Sequence, residues 1–180
     1  MLTALNMEIL IPYEVDKEVL GKGDFPNLKP NWSKLKRSPN VRVLPKLETD
    51  GSQPEVVATV ARIRGTAAAR ALKLRRDLGE ATVIAHAVHL RSQGRRVFVL
   101  IDDGGAKQLA RSERLQVVTI ETLLMAAVKR KVLAPEKLQK TYEQLVPFGN
   151  GLPSWDASEL KKSYRDWRAE QRAAAAESDA

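Results

Sequence analysis

The chain has no cysteine. That excludes disulfides, thiolate zinc sites and a thiol nucleophile. It has only two histidines, His86 and His89, so a zinc centre would have to be completed by carboxylates. Aromatic residues make up 5% of the chain, which leaves Leu, Val, Ile and Ala to fill the core. No apolar run approaches the roughly 18 residues that cross a bilayer. The N-terminus lacks the basic and apolar segments of a signal peptide. A soluble, cytoplasmic protein with no membrane partner is expected. Phosphate loops are missing as well. Gly21-Lys22-Gly23-Asp24 has the wrong spacing and follows a helix pattern, and Gly104-Gly105 is too short for a dinucleotide turn. Without a Gly-x-Ser-x-Gly elbow, a serine triad has no support.

What remains is 180 residues, 43% hydrophobic, enough for one domain and a tail. The expected division is a domain over 1–150 and a C-terminal helix and tail over 151–180. The net charge is +8, which favours an anionic partner. Nucleic acid is the foremost candidate, with acidic proteins and membranes as the others.

Patterning predicts an α/β fold. Leu2 to Asn6 reads as the end of a helix. Glu8 to Pro12 reads as a strand, with Pro12 suited to the start of a helix that stops at Gly21. Lys22 to Asn40, broken by Pro26, Pro30 and Pro39, reads as a loop. Val41 to Pro45 is a strand, Asp50-Gly51 a turn, and Pro54 to about Arg76 a helix with a break near Gly65. A helix from Gly79 to Gln93 carries Val83, Ile84, Ala87, Val88 and Leu90 at helical spacing, with Gly94 as its stop. Val97 to Ile101 is continuously apolar, as in a parallel strand buried on both faces. Ala106 to Ser112, Ile120 to Lys131 and Pro135 to Leu145 read as helices, and Gln116 to Thr119 as a strand. This rhythm predicts a mostly parallel central sheet flanked by helices. Phe148 to Pro153 is a linker. Ser154 caps a last, highly charged helix from Trp155 to about Ala173, whose Tyr164 and Trp167 share a face fit to dock on the domain or on another protein.

The acidic residues carry the chemistry. Asp102 and Asp103 follow the clearest strand, at the end where open parallel sheets bind ligands. The plain alternative is a solvated turn in which Asp103 caps the next helix. Glu80 sits in the first turn of its helix, where the helix dipole alone would explain it. Asp77, three residues earlier, is an equal capping candidate. Glu18 lies in the first helix among Glu8, Glu14 and Asp16, and an exposed face explains it too. Carboxylates that converge repel one another unless a cation lies between them, so together they suit Mg²⁺ or Mn²⁺. His86 and His89 have helical spacing for two ligands, but no third accompanies them. Lys34, Lys36 and Arg37 are basic around Trp32, and Arg62, Arg64, Arg70, Lys73, Arg75 and Arg76 make the following helix basic. Phosphate contacts with a base stacked on Trp32 are one reading. A solvated face with a packed Trp is the other.

Three segments in order resemble the PIN domain, a metal-dependent nuclease fold found in many toxin–antitoxin ribonucleases. They are Ile9 to Val19, Asp77-Leu78-Gly79-Glu80-Ala81 with Ile84 to Ala87, and Leu100-Ile101-Asp102-Asp103-Gly104 with Lys107 to Ala110 and Val117 to Thr119. The resemblance spans roughly residues 5 to 145. It implies a Mg²⁺- or Mn²⁺-dependent endoribonuclease with Glu18, Glu80 and Asp102 as catalytic and metal-binding carboxylates and Asp103 as a further ligand. It implies RNA as the partner, and the basic stretch read above, Trp32, Lys34, Lys36 and Arg37, is the expected place for it to bind. It also allows a toxin role, an antitoxin protein and a homodimer. PIN domains open with a strand ending in aspartate, and no acid precedes Glu8. That strand and its aspartate are therefore expected to be absent, through truncation or loss. A partner chain or a second copy would then fill the gap. The alternative function is a catalytically incomplete module that binds nucleic acid or a protein.

Overall fold

The computed structural model describes residues 7–21, 27–47, 53–65, 78–148 and 152–178. The helix end at Leu2 to Asn6, the Asp50-Gly51 turn, the helix beyond Gly65, Asp77 and most of the linker after Phe148 lie outside the described residues. The chain forms two compact units, Leu2–Val118 and Thr119–Ala180. No described helix is long and apolar enough to cross a membrane.

The first unit is α/β. Strand β1 (Ile9–Ile11) leads into helix α1 (Tyr13–Gly21). Pro12 stands where a missing N–H is harmless, and its carbonyl accepts the first helical bond, from Asp16 N–H at 3.1 Å. Helix α2 (Leu28–Lys36) precedes strand β2 (Val41–Val43), which pairs in parallel with β1 in the register Leu10 to Arg42. Helix α3 (Pro54–Gly65) follows, then α4 (Leu78–Ser92), strand β3 (Phe98–Leu100), α5 (Gly104–Ser112) and strand β4 (Gln116–Val118). Strands β3 and β4 form a second parallel pair. Among the described residues the strands make two separate parallel pairs in place of one central sheet.

Three expectations change here. The stretch expected as a loop contains α2. Pro30 falls in its first turn, where backbone N–H groups have no helical acceptor anyway, so the proline starts this helix without breaking it. Strand β3 is buried on one face only. Val99 is 3% exposed, whereas Phe98 and Leu100 are 37% and 41% exposed. The core that covers it joins Val99 and Ile101 to Val56, Ile63, Ile84 and Leu109, from α3, α4 and α5. One covered face gives alternation along a strand, and the apolar run concealed that alternation.

Asp16 is the third change. It sits on an otherwise acidic helix but is only 7% exposed. Its Oδ1 accepts hydrogen bonds from Trp32 Nε1 at 2.6 Å and Lys36 Nζ at 2.7 Å. Trp32 and Lys36 lie one turn apart on α2, so a single carboxylate oxygen ties α1 to that helix. Arg62 and Glu113 make a second tie, a two-bond fork at 2.6 and 3.0 Å from α3 to the end of α5.

The second unit is helical. It comprises α6 (Ile120–Lys129), a 3₁₀ turn (Pro135–Lys137), α7 (Leu138–Leu145), a 3₁₀ turn (Trp155–Ala157) and α8 (Glu159–Ser178). Thr119 caps α6 by accepting from Thr122 N–H at 3.2 Å. Ser154 does not cap the last helix. Ser158 does, accepting from Lys161 N–H at 3.2 Å, and α8 continues through the alanine run past Ala173. The core joins Leu124, Val128, Leu138, Leu160 and an aromatic chain. In that chain Tyr142 meets Trp155 edge-on at 5.8 Å, and Tyr164 stacks on Trp167 at 5.9 Å. The aromatic face of α8 thus packs within its own unit.

Burial pushes the Asp16 carboxyl up, but the hydrogen bonds from Lys36 and Trp32 and the nearby charges of Lys36 and Lys17 outweigh it and hold it below the usual range. Its stabilisation is therefore complete above the ordinary carboxylate range and lost as pH falls through the lowered value. Asp16→Ala leaves an indole N–H and an ammonium without their acceptor, and is expected to cost about 2 kcal/mol in urea unfolding at neutral pH. A loss near zero would show that α2 is held by other contacts.

Candidate functional site

The site is built where α1 crosses the start of α4. Gly79 is buried in the first turn of α4. A Cβ there would lie 2.7 Å from Glu18 Oε2 and 3.4 Å from Val15 Cγ2. The glycine lets the Glu18 carboxylate, one turn beyond Val15, settle beside the residue that precedes Glu80. Glu80 is half-buried, and its Oε2 has no exposed surface. Thr82 locks this first turn, its hydroxyl lying 2.8 Å from the carbonyls of Leu78 and Gly79.

Asp102 follows β3. Helix α4 packs on β3 and is joined to it by a short turn. Ile101 N–H continues the ladder to the Val118 carbonyl at 3.2 Å, which leaves Asp102 as the first residue past it. Asp102 is half-buried. Asp103 is the N-cap of α5, accepting from Ala106 N–H at 2.8 Å. For Asp103 this is the capping role of the plain alternative.

The structure therefore brings Glu18 to the start of Glu80's helix, while Asp102 stands just past the end of β3. Among the described residues no three His, Cys, Asp or Glu side chains are arranged to hold one metal ion. Of the residues expected to hold nucleic acid, Lys34 and Arg37 are exposed. Trp32 and Lys36 instead give their polar atoms to Asp16.

The family model DUF3368, described as a PIN domain, matches residues 1–149. The chain belongs to the PIN domain family. No curated protein and no solved structure matches it significantly.

Spacing did not reveal one group in this PIN domain. His86, on α4, is 6% exposed, and its Nε2 has no hydrogen-bond partner among the described residues. Glu14 on α1 faces it electrostatically, with a buried Oε2 that is also without a described partner and an Oε1 that accepts a long 3.4 Å bond from Leu47 N–H. Glu14 and Glu18 are one turn apart on α1, so the same face that brings Glu18 to Gly79 brings Glu14 to His86. His89 turns toward α3, its Nδ1 lying 2.8 Å from Glu55 Oε2, and its Nε2 is 2.9 Å from Gln93 Nε2. The two histidines thus address different helices.

Gly79→Ala adds a methyl group that the flexible tip of Glu18 must vacate. The fold is expected to keep its stability to within about 1 kcal/mol, since Ala is the better helix former. The Glu18 carboxylate is displaced, so any activity that depends on it falls while the unfolding midpoint holds. A chain that unfolds instead would show that backbone clash, not Glu18, limits position 79.

Burial holds the His86 imidazole below its usual value; Glu14 opposes the depression and His89 adds to it. Between that lowered value and about pH 6.5 the unfolded chain binds more protons than the folded one, so stability falls as pH drops through this window. Urea midpoints should decrease from about pH 7 to about pH 5.5, and His86→Gln should flatten the decrease. An equal slope in the variant would assign the effect to other groups.

Proposed function

We propose that this PIN domain is a ribonuclease that hydrolyses phosphodiesters with Mg²⁺ or Mn²⁺, acting as the toxin of a toxin–antitoxin pair. The observation that supports the reading is the Glu18 carboxylate laid against Gly79, the residue before Glu80. The donors are carboxylate oxygens, which suit hard divalent cations. As they stand the described carboxylates are not a closed set. A bound cation would supply an activated water and offset charge developing on the phosphate. The protein's own residues supply the rest. The first-turn N–H groups of α4 offset part of the repulsion between Glu18 and Glu80. Asp103 fixes the start of α5 and with it the backbone of Asp102. Lys34 and Arg37, both exposed, offer cations to an RNA backbone. An antitoxin protein and a homodimer belong to the toxin reading.

A second reading is favoured by the open arrangement of the carboxylates: a module that holds nucleic acid or a protein without cutting. One experiment separates the two. Glu80→Gln and Asp102→Asn should each lower Mn²⁺-dependent RNA cleavage by on the order of 100-fold, with unfolding midpoints unchanged, and chelator should abolish cleavage. RNA binding that weakens with salt, with no cleavage at any Mg²⁺ or Mn²⁺ concentration, would establish the second reading.

A further inference from the structure

The Thr119–Ala180 unit carries a basin that none of the carboxylate chemistry uses. Its volume is about 790 Å³, and it lies between the end of α6, the following 3₁₀ turn and α8. Val132, Leu133 and Trp167 give it apolar walls, and Lys129, Lys131 and Lys137 give it three cations. No carboxylate is among its described lining residues. The three lysines are exposed, and none of them is in an ion pair among the described residues.

Trp167 is half-buried, with Tyr164 stacked on it at 5.9 Å. Tyr164 is itself fixed, its hydroxyl donating to the Pro135 carbonyl at 3.2 Å. The indole is thus backed by a second ring and held in place before any ligand arrives. An aromatic platform within a ring of unpaired cations is the combination that binds single-stranded nucleic acid. Bases stack on the ring and phosphates meet the ammonium groups, without sequence readout.

Lys131 adds an independent observation. Its φ is +58°, in the left-handed region that favours glycine. It closes α6, its N–H reaching the Val128 carbonyl at 2.9 Å. Glycine would close that turn with less strain, so the lysine is carried at a cost to the backbone. Lys129 and Lys131 also stand where cations favour a helix C-terminus. That explanation does not extend to Lys137, which lies on the next turn.

We propose that this basin is a binding site for single-stranded nucleic acid, with Trp167 as the stacking platform and Lys129, Lys131 and Lys137 as the phosphate contacts. The choice of RNA as its physiological ligand rests on the ribonuclease reading, whereas the binding itself does not. It is therefore tested in the full chain carrying Glu80→Gln, with chelator present, so that loss of cleavage and loss of binding cannot be confused. The probe is a fluorescein-labelled oligouridylate followed by anisotropy across a salt series.

Lys131→Gly with Lys129→Ala and Lys137→Ala should weaken binding at least tenfold at low salt and reduce the salt slope by about 2, at roughly 0.7 per lost phosphate contact. Lys131→Gly alone should weaken binding while holding or raising the unfolding midpoint. Quenching of intrinsic fluorescence by the oligonucleotide should vanish in Trp167→Phe. Four results would overturn the proposal. One is unchanged affinity in the triple variant. Another is binding lost only in Lys34→Ala with Arg37→Ala, which would place the RNA on α2. The third is a lower midpoint in Lys131→Gly with unchanged binding, which would assign the lysines to the helix end. An acidic peptide that binds the basin more tightly than the oligonucleotide would also overturn it, in favour of a protein partner.

Discussion

A β-carbon at position 79 would lie 2.7 Å from the Glu18 carboxylate, so the contact between α1 and α4 takes its present form only with glycine there. That contact sets the geometry around Glu18. It brings Glu18 beside Glu80's turn, and through the next turn of α1 it brings Glu14 to His86. The first pairing joins two acids, the second an acid and a buried base. One helix face thus carries both the candidate chemistry and the group that ties folding to pH. A displacement of α1 along α4 would disturb both, because the two glutamates are rigidly one turn apart.

The carboxylate order was legible in the sequence because each acid stands at a local boundary. Glu80 opens a helix and Asp102 ends a strand, and such boundaries depend on residues within a few positions. Gly94 as a helix stop is of the same kind, with φ +80° and its N–H bound to the Arg91 carbonyl. What the sequence concealed is long-range. Asp16 pairs with residues 16 and 20 positions away, so nothing local set it apart from the acids around it. Trp32 and Lys36 looked like a nucleic-acid surface for the same reason. Pro30 looked like a breaker because its place in the first turn depends on where α2 begins. The half-exposure of β3 depends on what covers its second face, and no local pattern encodes that.

The Asp16 network bears on the nuclease reading. It uses a tryptophan and a lysine that were expected to contact RNA to hold α2 against α1. Lys34 and Arg37 stay exposed on the helix that network positions. Cations at the surface need a rigid support to present charge in a fixed place, and a buried carboxylate bonded to two donors supplies one.

Among the described residues, two helix ends use a basic residue in the left-handed conformation. Arg114, with φ +56°, ends α5. The Glu113 and Arg114 carbonyls both accept from Arg91, at 2.5 and 2.8 Å, so that turn is clamped to α4 and its strain is held by a structural bond. Lys131, with φ +58°, ends α6 by the same backbone pattern, but no ion pair among the described residues engages its ammonium group. A strained backbone persists when something over-determines it. At Arg114 that is the clamp from Arg91. At Lys131 backbone bonds hold the turn, Val132 N–H reaching the Ala127 carbonyl at 2.8 Å and Lys131 N–H the Val128 carbonyl at 2.9 Å, and these fix the conformation without requiring that the residue be a lysine.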